Sequence, residues 1–238
     1  MKIFKRIILI ILIGVFLFSA YKLVDYYLTG MKEEDAFKQI RQTEDKRESL
    51  ASLMKKNPDT VGWIKIDGTK IDYPVMQNMS DNEYYLRKNF NKEYSLSGSI
   101  FMDISTVIGK SRNLLIYGHN MKNGTMFHSL VKYEDEKYWQ EHKDVTFETK
   151  KGKAKYQVVA GGKEETLKSA PNEFKYYKFP KITNDQEHAN YLKGIQDTAD
   201  FAKLDGITPK TKLITLSTCS YHAEDKAGRY FIVAKEVK

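Results

Sequence analysis

The 238-residue chain reads as a mainly β domain, a largely antiparallel sheet or closed barrel, carried behind one apolar N-terminal helix. Three observations predict this class. Short apolar runs separated by turn residues dominate the chain after residue 60. Helical periodicity is rare between them, and strands do not alternate with helices as in a parallel α/β sheet. The first thirty residues differ in kind from the rest. The length allows one domain of ordinary size plus an appendage.

The elements follow in chain order. Lys2, Lys5 and Arg6 precede an apolar run from Ile7 to Ala20 that continues to Val24 around Lys22. From Ile7 to Val24 is 18 residues, near the lower limit for a helix crossing a ~30 Å hydrocarbon core. Lys22 lies close enough to the far end to snorkel. The best cleavage site, Phe18-Ser19-Ala20, has a bulky Phe where a small residue is needed, so the run is read as a retained anchor. The basic cluster keeps the N-terminus inside and puts residues after about Leu28 outside. This divides the chain into a cytoplasmic tail 1–6, a transmembrane segment 7–28, a helical extension 29–57 and a domain 58–238.

Between Lys32 and Lys56, Phe37, Ile40, Leu50, Leu53 and Met54 suit one or two amphipathic helices that end at Asn57-Pro58. Trp63–Ile66, the turn Asp67-Gly68 and Ile71–Val75 read as strand, turn, strand. Further strands are expected at 99–102, 113–117, 145–148, 155–160, 212–218 and 229–237. A short helix near Met126–Lys132 and a longer one near Asp185–Phe201 complete the outline.

The net charge of +8 includes three charges of the anchor itself, and the rest is interspersed with acids. No basic helix interleaved with aromatics argues for nucleic acid. No acidic cluster suggests a metal site, and no cofactor is expected. The single cysteine, Cys219, has no internal disulfide partner, so outside a membrane it is either an inert core residue or a reactive thiol.

Cys219 ends the run Lys212–Thr218, where a strand end beside a loop offers the exposure a reactive thiolate needs. Ten residues later Arg229 opens the last strand. If the two strands pair, these residues lie opposite, with Cβ atoms ~5 Å apart. The guanidinium could then stabilise charge on sulfur or on a substrate oxygen. An exposed arginine at a strand start is the plainer alternative. Of the five histidines, His119 follows the apolar run Leu114–Tyr117 and Gly118, which permits a tight turn there. His128 and His188 fall in expected helices, and His142 in a charged, solvated stretch. His222 lacks companions at metal spacing.

Thr215-Leu216-Ser217-Thr218-Cys219 resembles the TLxTC signature of sortases, and Tyr117-Gly118-His119-Asn120-Met121 the segment that carries their catalytic histidine. Arg229 falls where their essential arginine is expected. Trp63-Ile64, Ile71–Val75, Asp81–Leu86 and Gly124–Phe127 are similar to class B sortases in particular, and the resemblance runs from about Lys32 to the C-terminus. It implies a closed eight-stranded barrel with N-terminal helices and a helix in the long connection before the cysteine strand. It implies a thioacyl transfer in which Cys219 attacks a threonine carbonyl of a C-terminal sorting motif. His119 protonates the leaving amine, Arg229 holds the substrate or its oxyanion, and a peptidoglycan amine resolves the intermediate. The implied partners are secreted proteins bearing the motif, the wall amine and the membrane. Matching positions imply that Asn82, Leu86, Tyr117 and Ser217 line the peptide groove, though each also suits packing or ladder roles. A pilin-polymerising sortase, an L,D-transpeptidase and a non-catalytic wall-binding module with a buried cysteine remain alternatives.

Overall fold

The apolar N-terminal run forms a helix and overshoots its expected end. The computed structural model describes residues 2–41, 49–165, 174–219 and 228–237, with residues 2, 26, 29, 30, 32–41, 165 and 219 described through their backbone. Helix α1, Lys2–Arg41, has 40 residues and a length of about 60 Å. Its stretch Ile3–Asp25 is long and apolar enough to cross a membrane, the one such helix among the described residues. The helix does not break before Lys32, so the first amphipathic helix expected beyond it is a continuation of the same rod.

Helix α2, Leu50–Lys56, is short but closed at both ends. The Ser49 hydroxyl accepts from Ser52 N at 3.2 Å, which satisfies one of the donors a helix start leaves open. At the other end Asn57 N–H donates to Leu53 O, and the Asn57 amide donates to Phe90 O at 2.6 Å. Leu50 and Leu53 are buried.

Eight strands then close a ring. β1 (Thr60–Ile66) pairs antiparallel with β2 (Asp72–Met76) across the expected turn, where Gly68 has φ 76°, a conformation that favours glycine. β2 pairs with β3 (Ile100–Met102), β3 with β4 (Asn113–Tyr117), and β4 with β8 (Leu213–Cys219). β8 pairs with β9 (Gly228–Val237), and β9 with the long β6 (Gly152–Glu165). β6 returns to β5 (Asp144–Thr149), which pairs with β1 and completes the barrel. The sheet is mainly antiparallel, with β2–β3 and β4–β8 parallel.

Two elements were not expected. The two-residue β7, Phe201–Ala202, flanks β6, so the long helix α4, Asp185–Thr198, stops short of Phe201. The helix expected near Met126–Lys132 is a 3₁₀ stretch, His128–Glu134, followed by helix α3, Glu136–Glu141. α3 is one capped turn, with Asp135 accepting from Tyr138 N at 2.8 Å and Trp139 buried. One apolar anchor in six residues is too little for a periodic signal. His142, expected in solvent, is half-buried and stacks on Tyr138 with ring centroids 4.0 Å apart.

The central strands are buried on both faces, which is why their runs are continuously apolar rather than alternating. Leu114, Ile116, Ile214, Leu216, Ile232 and Ala234 fill one side. Leu115, Leu213, Phe231 and Val233 face the other way and pack under Tyr191 and Ile195. Those last two belong to α4, Asp185–Thr198, which begins with a capping box. Asn184 accepts from Glu187 N, and the Glu187 carboxylate accepts from Thr183 N, both at 2.8 Å.

Candidate active site

The parallel pairing of β4 with β8 brings the candidates to one place. Asn113 lies opposite Leu213, and the register runs unbroken to Tyr117 opposite Ser217. Gly118 N donates to Ser217 O at 3.1 Å, extending the ladder past the strand end. His119 and Cys219 are each two residues beyond the last named pair, so they leave neighbouring strands ~4.8 Å apart at the same level. On the other side of β8, Cys219 pairs with Arg229 of β9, as the spacing predicted. His119, a hundred positions before Cys219, and Arg229, ten positions after it, thus converge on the carboxyl ends of two parallel strands.

Gly118 serves a different purpose from the expected one. Its φ is not positive. A Cβ there would collide with the Ile100 side chain and come within 2.8 Å of Phe127. Glycine is needed because the His119 segment passes tightly over β3.

A cleft of about 380 Å³ opens at this strand end, lined by Asn82, Leu86, Tyr117, His119, Ser217 and Arg229 among others. All six of those expectations therefore share one cavity. Their polar atoms are held from behind. The His119 Nε2 is 2.9 Å from Leu86 O; a carbonyl only accepts, so Nε2 carries the hydrogen. The Asn82 amide donates to Asp103 Oδ2 at 3.2 Å, while its oxygen accepts from Ile104 N at 2.8 Å. The Tyr117 hydroxyl donates to the same Asp103 oxygen at 3.3 Å. Burial, and then the Asp103 charge, push the Tyr117 phenol well above its usual range, so it stays protonated. Asn82 and Tyr117 are thus wall residues fixed by Asp103, with their polar groups already engaged.

The cysteine strand is clamped in the same way. Ser217 Oγ is 2.7 Å from Tyr176 OH, and Tyr191 OH is 2.6 Å from Thr215 Oγ1. Thr215 Oγ1 in turn donates to Asn113 Oδ1 at 2.8 Å. Both tyrosines come from the connection that covers this face. Burial pushes both phenols well above their usual range.

Sequence reasoning missed several lining residues: Glu83, Phe101, Tyr176, Tyr177 and Thr218. The aromatic pair Tyr176-Tyr177 just before a helix was the available signal. His128 sits outside the cleft, with Nδ1 2.7 Å from Asn120 Oδ1, and His188 is buried in α4 against Thr211 O at 2.9 Å. His222 lies outside the described residues. Among those residues no cluster of His, Cys, Asp and Glu is arranged to hold a metal.

Comparison with known proteins agrees in sequence and in shape. A family model for the sortase domain matches residues 64–237. Sortase B of Staphylococcus aureus is 31% identical over 248 residues, spanning 100% of this chain and 98% of that protein. Sortase B of Listeria monocytogenes is 32% identical over 96% of this chain and 94% of its own. The crystal structure of Clostridium perfringens sortase B matches with a TM-score of 0.70 at 35% identity, over 80% of this chain and 100% of that one. A Staphylococcus aureus sortase B–substrate complex gives a TM-score of 0.76 at 30% identity, over 89% and 99%.

Proposed function

The chain belongs to the sortase family and is a cysteine transpeptidase of the class B kind, and on that premise we propose that Cys219, His119 and Arg229 carry out an acyl transfer from a sorting peptide to a wall amine. The observation that supports this reading is the β4–β8–β9 register, which brings the Cys219 backbone level with His119 and opposite Arg229, two residues that line one cleft.

The Cys219 thiolate adds to the carbonyl carbon of a threonine near the C-terminus of a secreted protein. The oxyanion that forms is held by the Arg229 guanidinium. Collapse breaks the peptide bond, and the departing amine takes a proton from His119. With Nε2 donating to Leu86 O, Nδ1 is the ring nitrogen assigned to that exchange. The thioester is then attacked by a peptidoglycan amine, which returns a proton to His119 and releases the thiolate. Leu86 and Tyr117 form the wall against which the peptide lies, and a relative in complex with its substrate shares this fold.

The apolar stretch of α1 supports a membrane anchor, with 1–6 inside, 7–28 spanning, 29–57 as a helical extension and 58–238 as the catalytic domain outside. Family membership sets aside the L,D-transpeptidase and the non-catalytic module. The full chain in detergent micelles, incubated with a panel of threonine-containing peptides, tests the chemistry by intact mass. An acyl adduct that transfers to an added amine is the expected result. A reactive thiol that forms no adduct with any peptide would end the reading. Competition between a peptidoglycan amine and a pilin lysine then identifies the acceptor.

A further inference from the structure

A buried ion pair sits one strand away from the proposed oxyanion arginine. Lys175 Nζ is 2.6 Å from Glu164 Oε1, with side-chain exposures of 7% and 6%. Glu164 is the β6 residue directly opposite Arg229 in the β6–β9 ladder. Cys219, Arg229 and Glu164 therefore form one row across three strands, on one face of the sheet. At ~5 Å between Cβ atoms the Glu164 carboxylate and the Arg229 guanidinium could pair readily. Among the described side chains Glu164 is joined to Lys175 and not to Arg229.

A buried pair of this kind contributes little net stability, because desolvation offsets the attraction. Its placement calls for another account. Both charges act on the same spot: Tyr176, the residue after Lys175, feels Arg229 and Glu164 in opposite senses at its phenol. Tyr176 lines the cleft and binds Ser217.

We propose that Lys175 is a positioning residue for the transfer: by holding Glu164 it withholds that carboxylate from Arg229 and leaves the guanidinium directed at the Cys219 end of the row. This rests on Arg229 serving the reaction as proposed above. Without Lys175, the uncompensated Glu164 would draw Arg229 across the ladder, away from the developing oxyanion.

The test is a cycle of Lys175→Met and Arg229→Ala in the full chain in micelles. Adduct formation is followed by intact mass with the fastest peptide of the panel. Rates are normalised to Cys219 alkylated by iodoacetamide, which reports on the chain's one thiol. Arg229→Ala alone tests the underlying reading: a native rate there ends the role of Arg229, and the proposal with it. Lys175→Met is expected to lower kcat about tenfold with KM little changed, and to have no further effect once Arg229 is alanine. Lys175→Arg should keep the rate, and Glu164→Gln with Lys175→Met should restore it. An equal loss from Lys175→Met in both backgrounds would mark a purely structural pair and overturn the proposal, as would no loss in either. Should Lys175→Met fail to fold, the Glu164→Gln, Lys175→Met double variant decides. A native kcat that Arg229→Ala still abolishes supports the proposal, and a tenfold loss overturns it.

Discussion

The barrel has a hollow at each end, and the two are built differently. At the carboxyl ends of β4 and β8 lies the cleft of about 380 Å³ with His119 and Arg229. At their amino ends a second hollow of about 190 Å³ is lined by Gly109, Lys151, Lys153, Lys212 and Glu236. Both contain cations beside apolar walls. In the first, four polar side chains of the wall are tied to groups behind them: Asn82 and Tyr117 to Asp103, Ser217 to Tyr176, His119 to Leu86. In the second, Lys212 and Glu236 meet at 3.2 Å with side chains 56% and 30% exposed, a pair with little to hold its geometry. On the proposed chemistry, a charged pocket becomes a reactive one through the layer that fixes its side chains.

That contrast is broken most forcefully at the proposed reacting groups. Cys219→Ala is expected to abolish adduct formation. His119→Ala should cost about 10²–10⁴ in rate and Arg229→Ala about 10²–10³. Lys151→Ala in the far hollow should leave the rate unchanged under the same mass assay. An equal loss from Lys151→Ala would remove the distinction between the two ends.

Asp103→Ala acts one layer back. It strips partners from Asn82 and Tyr117, and should cost about 1–3 kcal/mol in urea unfolding and roughly tenfold in kcat/KM. Tyr176→Phe removes one hydroxyl from the Ser217 clamp, with an expected loss of about 1 kcal/mol and a smaller drop in rate. A rate loss from Tyr176→Phe exceeding that of Asp103→Ala would shift the weight of the supporting layer to the cysteine strand.

Away from both hollows, His188 is fully buried, and burial holds its pKa below the usual value. The unfolded chain therefore binds that proton first as pH falls. The stability is complete above about pH 6.5 and declines below it. Thermal melts of the native protein should show that decline, at about 2–4 °C per kcal/mol. His188→Gln, which keeps a donor for Thr211 O, should flatten it. Smallest of all, Lys212→Ala should change stability by no more than about 1 kcal/mol.

Much of the active end was legible in the sequence because its residues sit where patterns break. Cys219, His119 and Arg229 stand at strand boundaries, and apolar runs mark such boundaries well. Strand direction was not legible, since an apolar run reads the same in a parallel or an antiparallel ladder. The parallel β4–β8 pair that aligns His119 with Cys219 emerged only from the fold. Asp103 carried no signal either, because a single acid after a three-residue strand has no motif around it. Tyr176 and Tyr177 lie in a connection whose path no periodicity describes. The Lys175–Glu164 pair joins two charged positions that look solvated in one dimension. Gly118 was singled out for the wrong reason: its neighbours Ile100 and Phe127 come from elsewhere in the chain.

The β4–β8 register has a consequence for how the enzyme comes into being. Its paired residues, Asn113 with Leu213 through Tyr117 with Ser217, are a hundred positions apart. Closing a loop of that length costs about 4 kcal/mol of chain entropy before any contact repays it, and such distant pairings fold slowly. With the domain outside, as proposed, a chain threading through a membrane exposes His119 long before its partner strand arrives. Cys219 and His119, the proposed nucleophile and acid, reach neighbouring strand ends only when the last strands have emerged and the ring has closed. The proposed site is thereby tied to completion of the fold, and a chain stalled partway would hold no competent acyltransferase.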